Sequence, residues 1–214
     1  MNTRSQHLFI QGTFILLGAL VLSGLGGWVR GASADSDPPA LSESEMLAEV
    51  RTLRQELDVT QGELDVVRLQ LERTNAIIGY SARYRIAADL ATAVYDIALS
   101  EGLRPDVAFP LVRLESGFDI RAKSQVGALG LTQVLPSTAR LYEPGLTEEQ
   151  LYDRDTNLRL GFRYLGDLLD RYEGDLERAL LAYNRGPARV QELLDRGEDP
   201  RNGYSEIILR DVKR

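Results

Sequence analysis

Glu115 is the residue in this sequence best suited to act as an acid. Apolar residues with helical spacing precede it, Pro105 suits a first helical position, and Gly117 suits the position just past a helix end. The apolar residues that set this spacing are Val107, Leu111, Val112 and Leu114. Glu115 is therefore expected in the last helical turn, where the helix dipole and the apolar neighbours disfavour an ionised carboxylate. A glutamate kept protonated near neutral pH is suited to general acid catalysis.

A glycine-rich segment follows, at residues 127–133 (G-A-L-G-L-T-Q, the Gly-rich turn). Gly127 and Gly130 allow the backbone to approach a ligand closely. Gln133 can present its amide to sugar hydroxyls or to an N-acetyl group. The acid and the turn together indicate a site that acts on a carbohydrate.

Four separated motifs carry a more specific resemblance. They are Glu115-Ser116, Ser124 with the Gly-rich turn, residues 136–139 (P-S-T-A), and Ala182-Tyr183-Asn184. In order and spacing they resemble the catalytic domain of the soluble lytic transglycosylase (SLT) family, the goose-lysozyme-like enzymes that cleave peptidoglycan glycan strands. The resemblance covers about residues 84–209.

The resemblance implies a mechanism with one glutamate, without metal or cofactor. Glu115 would protonate the oxygen of the β-1,4 bond between N-acetylmuramic acid and N-acetylglucosamine. It would then act as base on the sugar's own 6-hydroxyl, so that a 1,6-anhydromuramic end forms without water. The implied partner is the peptidoglycan glycan strand.

Further residues are expected to contact substrate by the same resemblance: Ser116, Ser124, Gln133, Tyr183, Asn184 and Tyr204. The family pattern gives the Tyr183 hydroxyl the role of orienting the catalytic carboxyl, and gives the Asn184 amide the role of holding the sugar. Taken without the resemblance, Tyr183 is a candidate core residue and Asn184 a candidate helix C-cap.

Two positions depart from the family pattern. Thr132 stands where the G-L-M-Q motif has methionine, which affects an expected apolar contact with substrate. Pro110 is expected to interrupt the helix that positions Glu115. Neither change removes a reacting group.

Two other functions stay open. An ordinary glycosidase needs two carboxylates at a defined separation, and Asp119 and Asp153 are the nearest candidates for a second acid. A hydrolytic muramidase is therefore one alternative. A catalytically silent peptidoglycan-binding scaffold is the other, and the presence of both Glu115 and Tyr183 argues against it.

Composition excludes several other classes of site. The net charge of −7 over 214 residues argues against a nucleic-acid partner, which needs clustered Lys and Arg. The absence of Cys removes disulfides and thiolate metal sites, and His7, the single histidine, removes the usual triads and histidine-based zinc sites.

An acidic segment begins like an EF-hand loop, with Asp153, Asp155 and Asn157 alternating. Its sixth position is Leu158 instead of Gly, and its twelfth is Tyr164 instead of the bidentate Glu that calcium requires. The segment is therefore interpreted as a structural approach to the helix that follows.

Residues 1–34 form an export segment. The apolar run at 8–29 is about long enough to span a membrane, which favours an uncleaved anchor, and Arg4 before it would keep the N-terminus cytoplasmic. The chain would then cross the bacterial inner membrane once and expose its bulk to the periplasm. Ala32 and Ala34 fit a signal-peptidase site, so that a soluble periplasmic protein cleaved near Ala34 is the alternative.

Residues 35–79 are predicted to form a linker and a coiled-coil helix. Two heptad rows define an a/d seam over residues 46–78: Val50, Leu57, Leu64, Leu71 and Ile78, and Met46, Leu53, Thr60, Val67 and Thr74. Glutamates at g and arginines at e support pairing with a second copy, and a cell-wall partner or packing on the chain's own catalytic domain is the alternative.

Residues 80–214 are predicted to form the catalytic domain. The sequence predicts a series of helices here, from helical spacing of apolar residues, Gly and Pro at the expected helix ends, and candidate caps at Thr147 and Asp175. No segment shows the alternating pattern of a strand. The fold class is therefore mainly α, with a lysozyme-like domain after a long helix and an N-terminal transmembrane or signal segment.

Overall fold

A computed structural model describes residues 42–213, and its regular elements are helices. In chain order they are α1 (Glu43–Tyr84), α2 (Ala88–Ser100), α3 (Pro105–Ser116), α4 (Pro136–Tyr142), a 3-10 turn (Gln150–Tyr152), α5 (Arg154–Arg171), α6 (Leu176–Arg185), α7 (Pro187–Asp195) and α8 (Tyr204–Val212). The prediction of a mainly α fold is confirmed.

The predicted export segment lies outside the described residues, both its apolar run at 8–29 and its cleavage site near Ala34. Among the helices of residues 42–213, none combines the length and the apolar character needed to cross a membrane. The anchor and the signal peptide stay predictions.

The chain divides into two units, residues 1–59 and 60–214. In the described part of the first, Ser42 and Glu45 form a capping box at the start of α1: the Ser42 N–H donates to Glu45 Oε2 (2.8 Å) and the Glu45 N–H donates to Ser42 Oγ (3.3 Å). The side chains of residues 42–59 are exposed. A helix covers the predicted seam, while the coiled coil itself stays a prediction.

In the second unit, the last turns of α1 belong to the core. Ile77 is buried, and the ring of Tyr80 stacks on Phe109 of α3 with 4.0 Å between centroids. Arg73 Nε donates to Asp96 Oδ1 of α2 (2.8 Å). The domain start expected at residue 80 therefore falls inside a helix whose preceding turns already pack on the domain.

Helix α3 lies among α1, α2 and α8, and all of its residues 107–112 are buried. The expected interruption at Pro110 is not seen, because α3 runs unbroken from Pro105 to Ser116. A proline removes a single N–H donor, and the surrounding core holds the helix together. Gly117 ends α3 in the left-handed region (φ 61°), which a residue without Cβ adopts readily.

Side chains cap the later helices, at Asp175 as predicted and at Asp153, which was not among the predicted caps. Asp153 accepts the Thr156 N–H (2.9 Å) at the start of α5, and Asp175 accepts the Arg178 N–H (3.0 Å) at the start of α6. Asp153 thus has the structural role expected for the segment that begins like a calcium loop.

A buried polar contact joins the Gly-rich turn to α5. The amide nitrogen of Asn157 donates to the carbonyls of Leu129 (2.9 Å) and Leu151 (2.8 Å), and its Oδ1 accepts the Thr132 N–H (2.8 Å). Thr132 Oγ1 also lies 2.8 Å from Asn157 Oδ1, and both side chains are buried. The Thr132 side chain therefore lies in the protein interior. Since the family motif has methionine at this position, the threonine changes how the turn packs on α5.

At Gly161, one turn after Asn157, the backbone of α5 comes close to Thr132 of the Gly-rich turn. A Cβ at residue 161 would lie 2.3 Å from Thr132 Oγ1 and 2.4 Å from Thr132 Cβ, far inside van der Waals contact. The turn and α5 can pack at this distance because residue 161 has no side chain.

Gly161→Ala is expected to destabilise the protein by about 1–3 kcal/mol, because the added methyl group overpacks the contact with Thr132. Urea unfolding followed by circular dichroism measures the change. The matched control is Gly166→Ala on the same helix, where the nearest heavy atom would lie 3.9 Å away. That substitution is expected to cost nothing and to gain up to about 1 kcal/mol from helix propensity. Equal free energies of unfolding for the two variants would contradict the tight packing at Gly161.

Candidate active site

Glu115 lies in the last turn of α3, as the sequence predicts, and lines a cavity of about 490 Å³. Burial raises the pKa of its carboxyl group to about 7, and a hydrogen bond from the Tyr204 hydroxyl to Oε1 acts in the opposite direction. A carboxyl group with this pKa carries a proton in about half of the molecules at neutral pH. It is therefore suited to donate a proton and to take one back.

The cavity brings together Glu115 and four of the residues expected to contact substrate: Ser124, Gln133, Tyr183 and Asn184. Glu115 belongs to α3, Ser124 and Gln133 to the Gly-rich turn and the residues just before it, and Tyr183 and Asn184 to α6. These segments are distant in sequence. The remaining lining residues are Val126, Ala128, Val134, Leu135, Thr138, Tyr164, Arg185, Gly186 and Pro187.

Polar groups of the turn are already fixed by the protein. Ser124 Oγ accepts the Ala128 N–H (2.9 Å), which closes the loop before the turn. Gln133 has φ 50°, and its amide nitrogen donates to the carbonyls of Gly130 (2.9 Å) and Ala122 (3.2 Å). The amide oxygen of Gln133 is thus the atom left to accept a hydrogen bond from a ligand.

The hydrogen bonds of the two tyrosines differ from the roles that the resemblance implies. The Tyr183 hydroxyl donates to the carbonyl of Thr132 (2.8 Å), so it holds the Gly-rich turn instead of the catalytic carboxyl. The hydroxyl that contacts the Glu115 carboxyl belongs to Tyr204, at the start of α8. Tyr204 is buried and does not line the cavity, which corrects its expected place as a cleft residue.

Ser116 is likewise absent from the cavity lining. Its hydroxyl lies 2.8 Å from the Leu131 carbonyl and 3.1 Å from the Val112 carbonyl, and it accepts the Phe118 N–H (3.1 Å). These contacts bind the end of α3 to the Gly-rich turn. The expected contact of Ser116 with substrate is therefore replaced by a structural role.

Asn184 is exposed and lines the cavity, and its Oδ1 accepts a hydrogen bond from Asn202 Nδ2 (2.8 Å). It lies inside α6, which ends one residue later at Arg185 with Gly186 as its cap. The alternative interpretation of Asn184 as a C-cap is therefore wrong.

Glu115 is the one carboxylate among the lining residues of this cavity. Asp119 lies on the exposed turn after α3, where Oδ1 accepts the Arg121 N–H (2.8 Å). Asp153 caps α5, and neither side chain lines the cavity. The two candidate second acids are thus engaged elsewhere.

Arg185 and Tyr164 line the cavity without having been selected from the sequence. Arg185 directly follows the A-Y-N motif, and this adjacency is the signal that would have identified it. Tyr164 was interpreted as structural, and its ring does pack against Tyr183 with 5.3 Å between centroids.

Comparison with known proteins agrees with this geometry. The family model "Transglycosylase SLT domain" matches residues 79–202. The chain is 36% identical over 93 residues to the soluble lytic murein transglycosylase of Escherichia coli (strain K12), a match that covers 41% of this chain and 14% of that protein. It is 40% identical over 84 residues to the transglycosylase of Enterobacteria phage PRD1, covering 39% of this chain and 30% of that protein.

The fold is also similar to a solved one, the crystal structure of the 70-kDa soluble lytic transglycosylase from Escherichia coli. The TM-score is 0.51 at 25% sequence identity, over 62% of this chain and 24% of the other. This chain thus corresponds to a minor part of the length of these relatives. Because the family model covers more than half of its residues, the chain belongs to the Transglycosylase SLT domain family.

Proposed function

We propose that this protein is a peptidoglycan lytic transglycosylase, which cleaves the bond between N-acetylmuramic acid and N-acetylglucosamine and forms 1,6-anhydromuramic ends. The observation that carries the proposal is the single carboxylate, Glu115, in a cavity of family-matching residues. One group that alternates between acid and base needs no second carboxylate, whereas hydrolysis with water activated by a protein base does.

In the proposed reaction, protonated Glu115 gives its proton to the glycosidic oxygen as the C1–O4 bond breaks. The carboxylate then takes the proton of the C6 hydroxyl while O6 bonds to C1 of the same sugar. The N-acetylglucosamine side leaves with a free 4-hydroxyl, and Glu115 is protonated again. The pKa of about 7 suits both steps, because acid and base forms are both accessible near neutrality.

The residues around Glu115 are proposed to act in two groups. Ser124, Gln133 and Asn184 line the cavity and bind the sugars through hydrogen bonds. Tyr204 orients the carboxyl group and stabilises the carboxylate that forms after proton donation, and Tyr183 holds the turn through Thr132.

Two alternatives differ from this proposal in their products. A hydrolytic muramidase would release reducing ends, but Asp119 and Asp153 do not line the cavity. A silent scaffold would release nothing, and the raised pKa of Glu115 beside Tyr204 supports an active acid instead.

Glu115→Gln is expected to lower the rate of muropeptide release from purified sacculi by about two to four decades, because the amide has no proton to donate. Binding to sacculi should persist, since shape and most contacts are kept. A near-native rate of release by the variant would remove Glu115 from the mechanism.

The same variant is expected to be more stable than the wild type at neutral and alkaline pH. Because the folded-state pKa of Glu115 is raised above its unfolded value, its stability contribution is complete at acid pH and is lost as the pH rises through about 7. Glutamine removes this loss, so the gain should grow between about pH 5 and 8, to on the order of 2–3 kcal/mol. Thermal unfolding at several pH values measures it.

Tyr204→Phe is expected to move the alkaline limb of the pH–rate profile upward, by up to about one pH unit. The Tyr204 hydrogen bond lowers the pKa of Glu115, so the acid form should persist to higher pH without it. Tyr183→Phe is the matched control, because its hydroxyl contacts Thr132 and not the carboxyl. It should lower the rate without moving the limb. If the alkaline limb lies at the same pH in the wild type and in both variants, Tyr204 does not lower the pKa of Glu115.

We propose that residues 1–34 export the chain and that residues 8–29 anchor it in the inner membrane, with the catalytic part in the periplasm. The length of the apolar run supports an anchor over a cleaved signal. An intact-mass measurement of the exported protein should show residues 1–34 still present. A mature chain that begins at Asp35 would instead identify a soluble periplasmic enzyme.

We also propose that α1 binds a second copy of itself along the seam of residues 46–78. Leu64 and Leu71 of this seam are 62% and 58% exposed, although they are large and apolar. The double variant Leu64→Lys/Leu71→Lys should convert a dimer of residues 35–214 into a monomer, as measured by light scattering. Leu99→Lys, at another exposed leucine, is the control and should leave the dimer intact. A monomeric wild type would favour a cell-wall partner for this helix.

A further inference from the structure

Arg185 is a cation on the cavity wall that the proposed chemistry does not use. Glu115 and Arg185 are the two ionisable charged side chains among the lining residues. Most arginines of the second unit form ion pairs, but no carboxylate of residues 42–213 lies within ion-pairing distance of Arg185. Its positive charge is therefore not neutralised by the described part of the protein.

The guanidinium of Arg185 is nevertheless held in place. One N–H of Nη1 donates to the carbonyl of Pro200 (3.0 Å), a buried residue in the connection between α7 and α8. Arg185 itself is partly buried at the end of α6, where Gly186 (φ 81°) turns the chain into α7. Since a guanidinium has five N–H donors, four remain for a ligand in a side chain that is already partly ordered.

The cation does not pair with the catalytic carboxyl. Both side chains line the cavity, but no ion pair among residues 42–213 joins Arg185 to Glu115. The remaining N–H donors of Arg185 are therefore available to a group of the ligand.

The chemistry of the proposed substrate identifies that group. The sugars of a glycan strand carry hydroxyl and N-acetyl groups, which are uncharged. The anionic groups of peptidoglycan are carboxylates, either on the peptide stem or on the lactyl group from which a stem has been removed. A guanidinium fork matches a carboxylate with two parallel hydrogen bonds.

We infer that Arg185 binds a carboxylate of the peptidoglycan strand and thereby selects which strands enter the cavity. This inference rests on the proposed transglycosylase function. It also explains how a chain with net charge −7 binds an anionic polymer, because the cavity presents an unpaired positive charge to it.

The test compares KM and kcat of the wild type, Arg185→Gln and Arg185→Lys on soluble glycan strands that carry peptide stems. Arg185→Gln is expected to raise KM about ten- to a hundredfold, as for loss of a hydrogen-bonded charge pair, with a small effect on kcat. Arg185→Lys keeps the charge and should lie between the two. Arg171→Gln is the matched control, because Arg171 is also in the last turn of its helix, forms no ion pair within residues 42–213 and does not line the cavity.

A second arm uses the same strands after their carboxylates have been converted to amides. The wild type should then show a raised KM, and Arg185→Gln should add nothing further. A third arm uses strands stripped of stems by an amidase, which exposes the lactyl carboxylate. An effect of Arg185→Gln that persists there shows that Arg185 also binds the lactyl carboxylate, and an effect that disappears shows that it binds only a carboxylate of the stem.

Two results would overturn the inference. One is a KM for Arg185→Gln equal to that of Arg171→Gln on stem-bearing strands. The other is an equal loss of kcat on all three strands together with a lower melting temperature, which would show that Arg185 only supports the connection to Tyr204 through Pro200. Failure of the proposed function is distinct from both, since the wild type itself would then form no anhydro ends.

Discussion

The site depends on how the backbone of the Gly-rich turn is held. Side chains from three helices hydrogen-bond to consecutive parts of this turn: Asn157 of α5 to the Leu129 carbonyl, Ser116 of α3 to the Leu131 carbonyl, and Tyr183 of α6 to the Thr132 carbonyl. Buried carbonyls without partners would cost free energy, so these bonds fix the turn relative to all three helices. The cavity is the space that this arrangement leaves between the turn and the ends of α3 and α6.

Burial of Glu115 then supplies the chemistry. The protein places a carboxyl group where its ionised form is poorly solvated, which raises its pKa to about 7, and offers one hydrogen bond, from Tyr204, to the ionised form. Such a group lowers the free energy of unfolding at pH values above its pKa. The fold tolerates this because the surrounding core, with Phe109 and Ile208 fully buried, contributes stability. Arg185 adds a positive charge to the same cavity.

The sequence predicted the elements that depend on local signals. Pro105 and Gly117 bound α3 as expected, Asp175 caps α6, and the pattern of motifs identified the family. It failed where a contact is made across the fold. No local signal tells which of two tyrosines reaches Glu115, because Tyr204 is 89 residues away from it in the chain. Ser116 and Thr132 were misplaced for the same reason, since their partners lie 15 and 25 residues away.

In the proposed mechanism, one carboxylate performs both proton transfers and the substrate's own 6-hydroxyl is the nucleophile. Mass spectrometry of the fragments that the wild-type protein releases from purified sacculi tests it most directly. We expect muropeptides with 1,6-anhydromuramic ends, each lighter by one water than the corresponding fragment with a reducing end. Fragments with reducing ends alone would show that water is the nucleophile, and would contradict the mechanism in which Glu115 acts without a second carboxylate.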